Sequence, residues 1–140
     1  MLKKFLILIV ISLSISSCGS GTYNDDPETW NKVFGEDIPK EITVINSRFW
    51  KSAHFTFEFE LYAKFETSRD FVESYFIEHY KMVKTERPKL DIHFADAKPE
   101  WFVNKSFDTY DIYENEEHAA IMVLFCDTNS NTFYLHALQV

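Results

Sequence analysis

The 140-residue chain is poor in the residues that make specialised scaffolds, with 3 glycines, 4 prolines and 2 cysteines. So little glycine and proline excludes a collagen-like or low-complexity chain, and two cysteines cannot build a disulfide-rich framework. Gly35 is the last glycine in the sequence, so the body of the chain holds no glycine-rich loop to cradle a phosphate. No apolar run reaches the roughly 20 residues a permanent membrane span needs. None of His54, His79, His93, His118 and His136 stands in an H-E-x-x-H or H-x-H unit, and no serine stands in G-x-S-x-G. The 46% of hydrophobic residues excludes a disordered chain, and the length supports one domain with a tail.

The amino terminus differs from the rest. Lys3 and Lys4 precede the run Phe5 to Ile11, which continues into Leu13 and Ile15 among serines. A cationic start, an apolar stretch of about eleven residues and small residues at its end form a secretory signal. The run closes in Ile15-Ser16-Ser17-Cys18. This resembles the lipobox of bacterial lipoproteins, in which a branched apolar residue and two small ones precede a cysteine. The resemblance covers about the first twenty residues. It implies that Cys18 receives a diacylglycerol, that residues 1–17 are removed as a signal peptide, and that the membrane is a partner through this lipid anchor. Gly19 rather than aspartate follows, which in a Gram-negative cell envelope points to the outer membrane, on its periplasmic or surface face. Residues 18–27, holding Gly19 and Gly21, read as a flexible tether, and residues 28–140 as the single globular domain.

Loss of the signal takes two lysines and leaves 12 basic residues against 22 acidic, a net charge of −10. A surface this negative is repelled by phosphate backbones, which argues against nucleic acid, and suits a cationic protein or envelope polymer as partner. Once Cys18 is acylated, Cys126 has no partner cysteine. It ends the apolar run from Ala119 and reads as a small buried hydrophobe.

The clearest periodic segment is His54 to Glu66. Phe55, Phe57, Phe59, Leu61, Ala63 and Phe65 alternate with Thr56, Glu58, Glu60, Tyr62, Lys64 and Glu66. Period two over this length predicts a long strand with one buried and one solvated face, hence an antiparallel sheet. Glu41–Trp50 reads as its hairpin partner across Lys51-Ser52-Ala53. Thr67-Ser68-Arg69-Asp70 has the spacing of a capping box, and apolar residues from Phe71 to Val83 recur at helical spacing, so a helix is expected over about 68–84. Beyond it, 90–94 reads as a short strand, 98–102 as a helical turn and 107–113 as a strand. Residues 114–117 read as a turn, 119–126 as a strand, 127–131 as a loop and 132–140 as the closing strand. The expected fold is α+β: a two-layer sandwich of about five antiparallel strands in ββαβββ order, with one main helix on the Phe55/Phe57/Phe59 face.

For chemistry, His93 with Asp96, and Glu114 with His118, are spaced as pairs of metal ligands. Zinc needs three or four converging groups, so no metal or cofactor is expected. Glu58 and Glu60, two apart on one strand face, are spaced as a glycosidase carboxylate pair at about 7 Å, as are any two side chains on a solvated strand. Trp30, Trp50 and Trp101 stand near element ends, where an indole either completes the core or stacks on a partner. The leading expectation is a non-enzymatic, lipid-anchored envelope module binding through Thr56, Glu58, Glu60, Tyr62 and Glu66. The alternatives are an inhibitor or immunity lipoprotein against a basic toxin or lysozyme-like hydrolase, and a small envelope hydrolase whose site assembles only in the fold.

Overall fold

Alternation along Phe59–Glu66 places Phe59, Leu61, Ala63 and Phe65 in one apolar cluster. The computed structural model describes residues 20–53, 58–88, 98–115 and 120–139. Within them the strands are β1 (Gly21–Asn24), β2 (Thr43–Lys51), β3 (Phe59–Glu66), β4 (Val83–Lys84), β5 (Tyr110–Glu114), β6 (Ile121–Asp127) and β7 (Thr132–Gln139). They form one sheet in the order β1-β2-β3-β7-β6-β5-β4, and every pairing is antiparallel. The last strand therefore enters the middle of the sheet, between β3 and β6. The helices are α1 (Glu28–Phe34) and α2 (Arg69–Val72), the latter continuing as a π-helical stretch over Glu73–Glu78.

The fold is α+β and antiparallel, as the alternation predicts, but it is not a five-strand, one-helix sandwich. Two short helices and seven strands are present among the described residues. The expected tether contributes β1, whose Tyr23 lies against Phe49 at 6.3 Å between ring centroids. Ser52 N donates to Glu58 O and β3 begins at Phe59, while residues 54–57 of the expected strand, Phe55 and Phe57 among them, lie outside the described residues. The strand expected over 90–94 lies outside the described residues.

The helix expected over 68–84 ends early. Ser68 caps it, its hydroxyl accepting from Phe71 N at 3.2 Å. At the far end Lys81 adopts a left-handed φ of 51°, Lys81 N donates to Glu78 O, and Met82 N donates to Ile77 O. These two bonds make a Schellman stop, which turns the chain so that Val83 and Lys84 join the sheet edge. The apolar Val83 only looks like a continued helical period; it is exposed. Gly35 ends α1 in the same left-handed way, at φ 74°.

Both faces of the sheet are covered at its centre. On one side α1 and α2 bring Trp30, Val72 and Phe76 onto Phe65, Leu124, Phe133 and Leu135. Edge-to-face and tilted contacts of 5.4–6.2 Å join Trp30, Phe65 and Phe76. On the other side the segment 98–106 lays Phe102 and Val103 on Tyr62, Tyr110, Val123, Phe125 and Tyr134. This corrects the expectation of a solvated second face. It also explains why Phe133–Leu138 of β7 are all buried, a pattern that belongs to a strand covered on both sides.

The covering segment is fastened at several points. Phe102 N donates to Pro99 O, Lys98 Nζ donates to Val103 O at 3.0 Å, and Val103 holds a φ of 44° that a β-branched residue seldom takes. Lys105 Nζ reaches the buried Asp127 Oδ2 at 2.5 Å, while Asp127 Oδ1 accepts from Asn129 N. The Lys105 hydrogen bond, and secondarily the one from Asn129, hold the Asp127 carboxyl below its usual range. A carboxyl depressed in the folded state stabilises the fold fully above its unfolded pKa of about 3.9, and that contribution is lost as pH falls through the folded value. Asp127→Asn should therefore lower the urea midpoint at neutral pH and flatten its decline below pH about 4, read from urea titrations between pH 2 and 7.

Candidate functional site

Among the described residues, two places that bring chemistry-bearing side chains together bear most on function. The first lies on the second face of β3 and β7, where Tyr62 and His136 stand directly opposite each other in register. Their rings stack at 4.6 Å. Glu60, two residues from Tyr62 on the same face, accepts through Oε1 from the Tyr62 hydroxyl at 2.7 Å and meets His136 Nε2 at 2.9 Å. Burial first, then the hydrogen bond to Glu60, drives the Tyr62 hydroxyl far above the usual tyrosine range, while the Arg48 guanidinium opposes this from 5.3 Å above the ring. Phe102 closes the cluster from outside, with its ring 4.9 Å from Tyr62 and 6.4 Å from His136.

A carboxylate on an imidazole is the orienting half of a general-base unit. Here Glu60, Tyr62 and His136 are only 2%, 2% and 1% exposed and lie beneath Phe102. The geometry ties β3 to β7 through side chains. It does not present a reactive atom.

The second place is a cavity of about 360 Å³ between α1 and the first half of β2. Pro27, Trp30, Ile38, Ile42, Val44, Ile45, Leu61 and Ala63 make its walls, and Asp25, Asp26, Thr29 and Ser47 its polar part. The local sequence explains the shape. Asp25 leaves β1 with a left-handed φ of 52°, donates its N–H to Ser47 O at 2.9 Å and accepts from Ser47 N through Oδ1 at 2.7 Å. Asp26 Oδ1 then accepts from Glu28 N at 3.0 Å, and Thr29 donates its hydroxyl to Asp26 O. These bonds swing the chain off the sheet into α1 and leave both aspartates at the mouth. A broader cleft lies across α1, lined by Phe34, Glu36, Phe71, Ser74, Tyr75, His79 and Tyr80. There the Tyr75 hydroxyl donates to Glu36, and burial first, then that bond, raises its pKa.

Among the described residues, those singled out in the sequence do not form an exposed contact surface. Cys18 and Thr56 lie outside the described residues, as do His54, His93, Asp96 and His118. Glu58 is half-buried just before β3, and Glu66 is exposed at the end of β3. Glu60 and Tyr62 are interior, so the Glu58/Glu60 pair is not an open carboxylate pair. Among the described residues no three His, Cys, Asp or Glu side chains converge as metal ligands. Cys126 is buried, as expected, and burial pushes its thiol up to about 12. Trp30 belongs to the core, while Trp50 and Trp101 are half-buried. His136 and the cavity residues Asp25 and Asp26 carry no motif in the sequence. The one available signal was the density of acid between residues 25 and 41.

No family model, no curated protein and no solved structure matches the chain. The site has to be read from its own geometry. Among the described residues no helix is long and apolar enough to cross a membrane.

Proposed function

We propose that this chain is a lipid-anchored, non-enzymatic binding module of the bacterial cell envelope, with its ligand seated in the cavity between α1 and β2. The observation that carries the reading is that cavity: about 360 Å³, walled by aliphatic side chains and Trp30, with two aspartates at the mouth. Ligand seats are commonly apolar concavities of roughly 300–1,000 Å³ with a few polar groups that fix orientation. The Ile15-Ser16-Ser17-Cys18 sequence supports the anchor, and such an anchor would raise the effective concentration of the module at the membrane.

The inhibitor or immunity reading draws on one further feature. Residues 25–41 hold six carboxylates, Asp25, Asp26, Glu28, Glu36, Asp37 and Glu41, against Lys32 and Lys40. A basic toxin or hydrolase would be steered to this corner. The hydrolase reading has less support, because the His136–Glu60 contact is buried beneath Phe102.

A photo-crosslinking residue placed at Ile45, on the cavity rim, should capture a discrete partner in the native host. The same probe at Val83, exposed at the opposite sheet edge, should not. Equal capture at both positions, or capture at Val83 alone, would refute the assignment of the cavity. The identity of the Ile45 adduct separates an envelope protein from a toxin or hydrolase. Mass spectrometry of the mature terminus tests the anchor independently, since a free Cys18 thiol would remove it.

A further inference from the structure

The sheet edge above the cavity is incomplete. β1 pairs with β2 only from Arg48 to Lys51, and among the described residues no strand flanks Thr43–Asn46 on that side. The place where pairing stops is specific. Ser47 still bonds Asp25, but its N–H is taken by the Asp25 side chain rather than by a backbone carbonyl. Asp25 thus ends the ladder chemically while the edge of β2 runs on toward Thr43. Ile45 is the extra residue of a bulge between Val44 and Asn46 against β3, and it is 42% exposed. Edges are usually blunted by lysine, proline or a bulge. Thr43-Val44-Ile45-Asn46 has only the bulge, and its Val44 and Ile45 are cavity walls.

We infer that the partner adds an extended peptide segment to the Thr43–Asn46 edge of β2, with a large apolar side chain in the cavity and a lysine or arginine beside it facing Asp25 and Asp26. This rests on the binding reading above and names the kind of ligand. Strand addition supplies affinity through main-chain hydrogen bonds and specificity through alternate side chains, one of which enters a pocket. Charge selects the occupant: the two acidic residues lining the cavity are Asp25 and Asp26, and among the described residues no lysine or arginine lines it. An acidic segment would be repelled by the two aspartates, and a neutral one would gain no charge pairing from them. A cationic segment pairs with them.

The test uses the full chain in detergent micelles and a library of blocked hexapeptides. Each peptide carries one lysine or arginine next to one leucine, isoleucine or phenylalanine. The expected result is at least one binder with a Kd below about 1 mM, weakened at least about tenfold when its basic residue becomes glutamate. Its affinity should also fall with added salt. Hydrogen exchange should slow over 43–46 on binding. N-methylation of one alternate set of peptide amides should abolish binding, and methylation of the other set should leave it unchanged, because only one set faces the edge. Asp25→Asn with Asp26→Asn should remove the preference for the basic peptide without the peptide chemistry being altered.

The two readings fail differently. A peptide that binds, perturbs Val44 and Ile45 and tolerates methylation of either set overturns strand addition and leaves the cavity reading standing. A library without binders overturns the strand-addition inference. If the Ile45 crosslinking also fails, the cavity reading falls with it.

Discussion

Replacing Phe102 with alanine should destabilise the protein by about 3–5 kcal/mol, the range for deleting a fully buried phenylalanine ring. The ring has no exposed surface and meets Tyr62, Phe125, Tyr134 and His136 edge-on at 4.9–6.4 Å. It comes from a segment without regular secondary structure, so few neighbours can close over the space it leaves. Urea unfolding measures the loss. The variant should also admit solvent to Tyr62 in the folded state, visible as faster quenching of tyrosine fluorescence by acrylamide. A stability unchanged within 1 kcal/mol would mean that segment 98–106 does not cover the sheet, and that the second face is solvated after all.

The second large effect belongs to Glu60. Its Oε1 serves both the Tyr62 hydroxyl and His136 Nε2, each within 3 Å. Glu60→Ala takes this shared acceptor from two buried polar groups at once. Leaving a buried polar group without its hydrogen bond typically costs about 1–3 kcal/mol, and two such groups are affected here. Glu60→Gln keeps an acceptor oxygen in nearly the same place, and should cost less than half as much. A cycle with Tyr62→Phe isolates the hydroxyl's share, since in the double variant that donor is gone and its penalty disappears. Equal losses for Glu60→Ala and Glu60→Gln would show that charge rather than hydrogen bonding holds the cluster.

These two residues mark where sequence reading succeeds and where it stops. The helix-facing side of β3 was legible because Phe59, Leu61, Ala63 and Phe65 are apolar at strict period two. The final two strands were legible because Ile121–Asp127 and Thr132–Gln139 flank a run of turn formers. The other side of β3 misled for a physical reason. Glutamate and tyrosine signal solvent in isolation, yet they are interior here because they satisfy each other and His136, 76 residues away. Only long-range register could reveal that. Glu66, at the end of the same strand beyond the cover of Phe102, does obey the alternation and is exposed.

The remaining omissions have local causes. α1 has seven residues and the amide of its Gly35 cap bonds back to Asn31, too little chain for a periodic signal. β1 is four residues of Gly-Thr-Tyr-Asn, which read as linker by composition and become a strand only because Arg48–Lys51 offers an edge. The aspartates of the cavity were visible as charge but not as a mouth. Their meaning depends on the left turn at Asp25 and on the short ladder it terminates.

That early start of β1 has a mechanical consequence for a lipidated chain. Only Cys18, Gly19 and Ser20 would separate the acyl chains from the sheet, a leash of about 10 Å when fully stretched. On so short a leash a lipidated domain would be confined to the neighbourhood of its membrane. It would stay close to the lipid headgroups, with Asp25 and Asp26 past the end of β1 that lies away from Ser20.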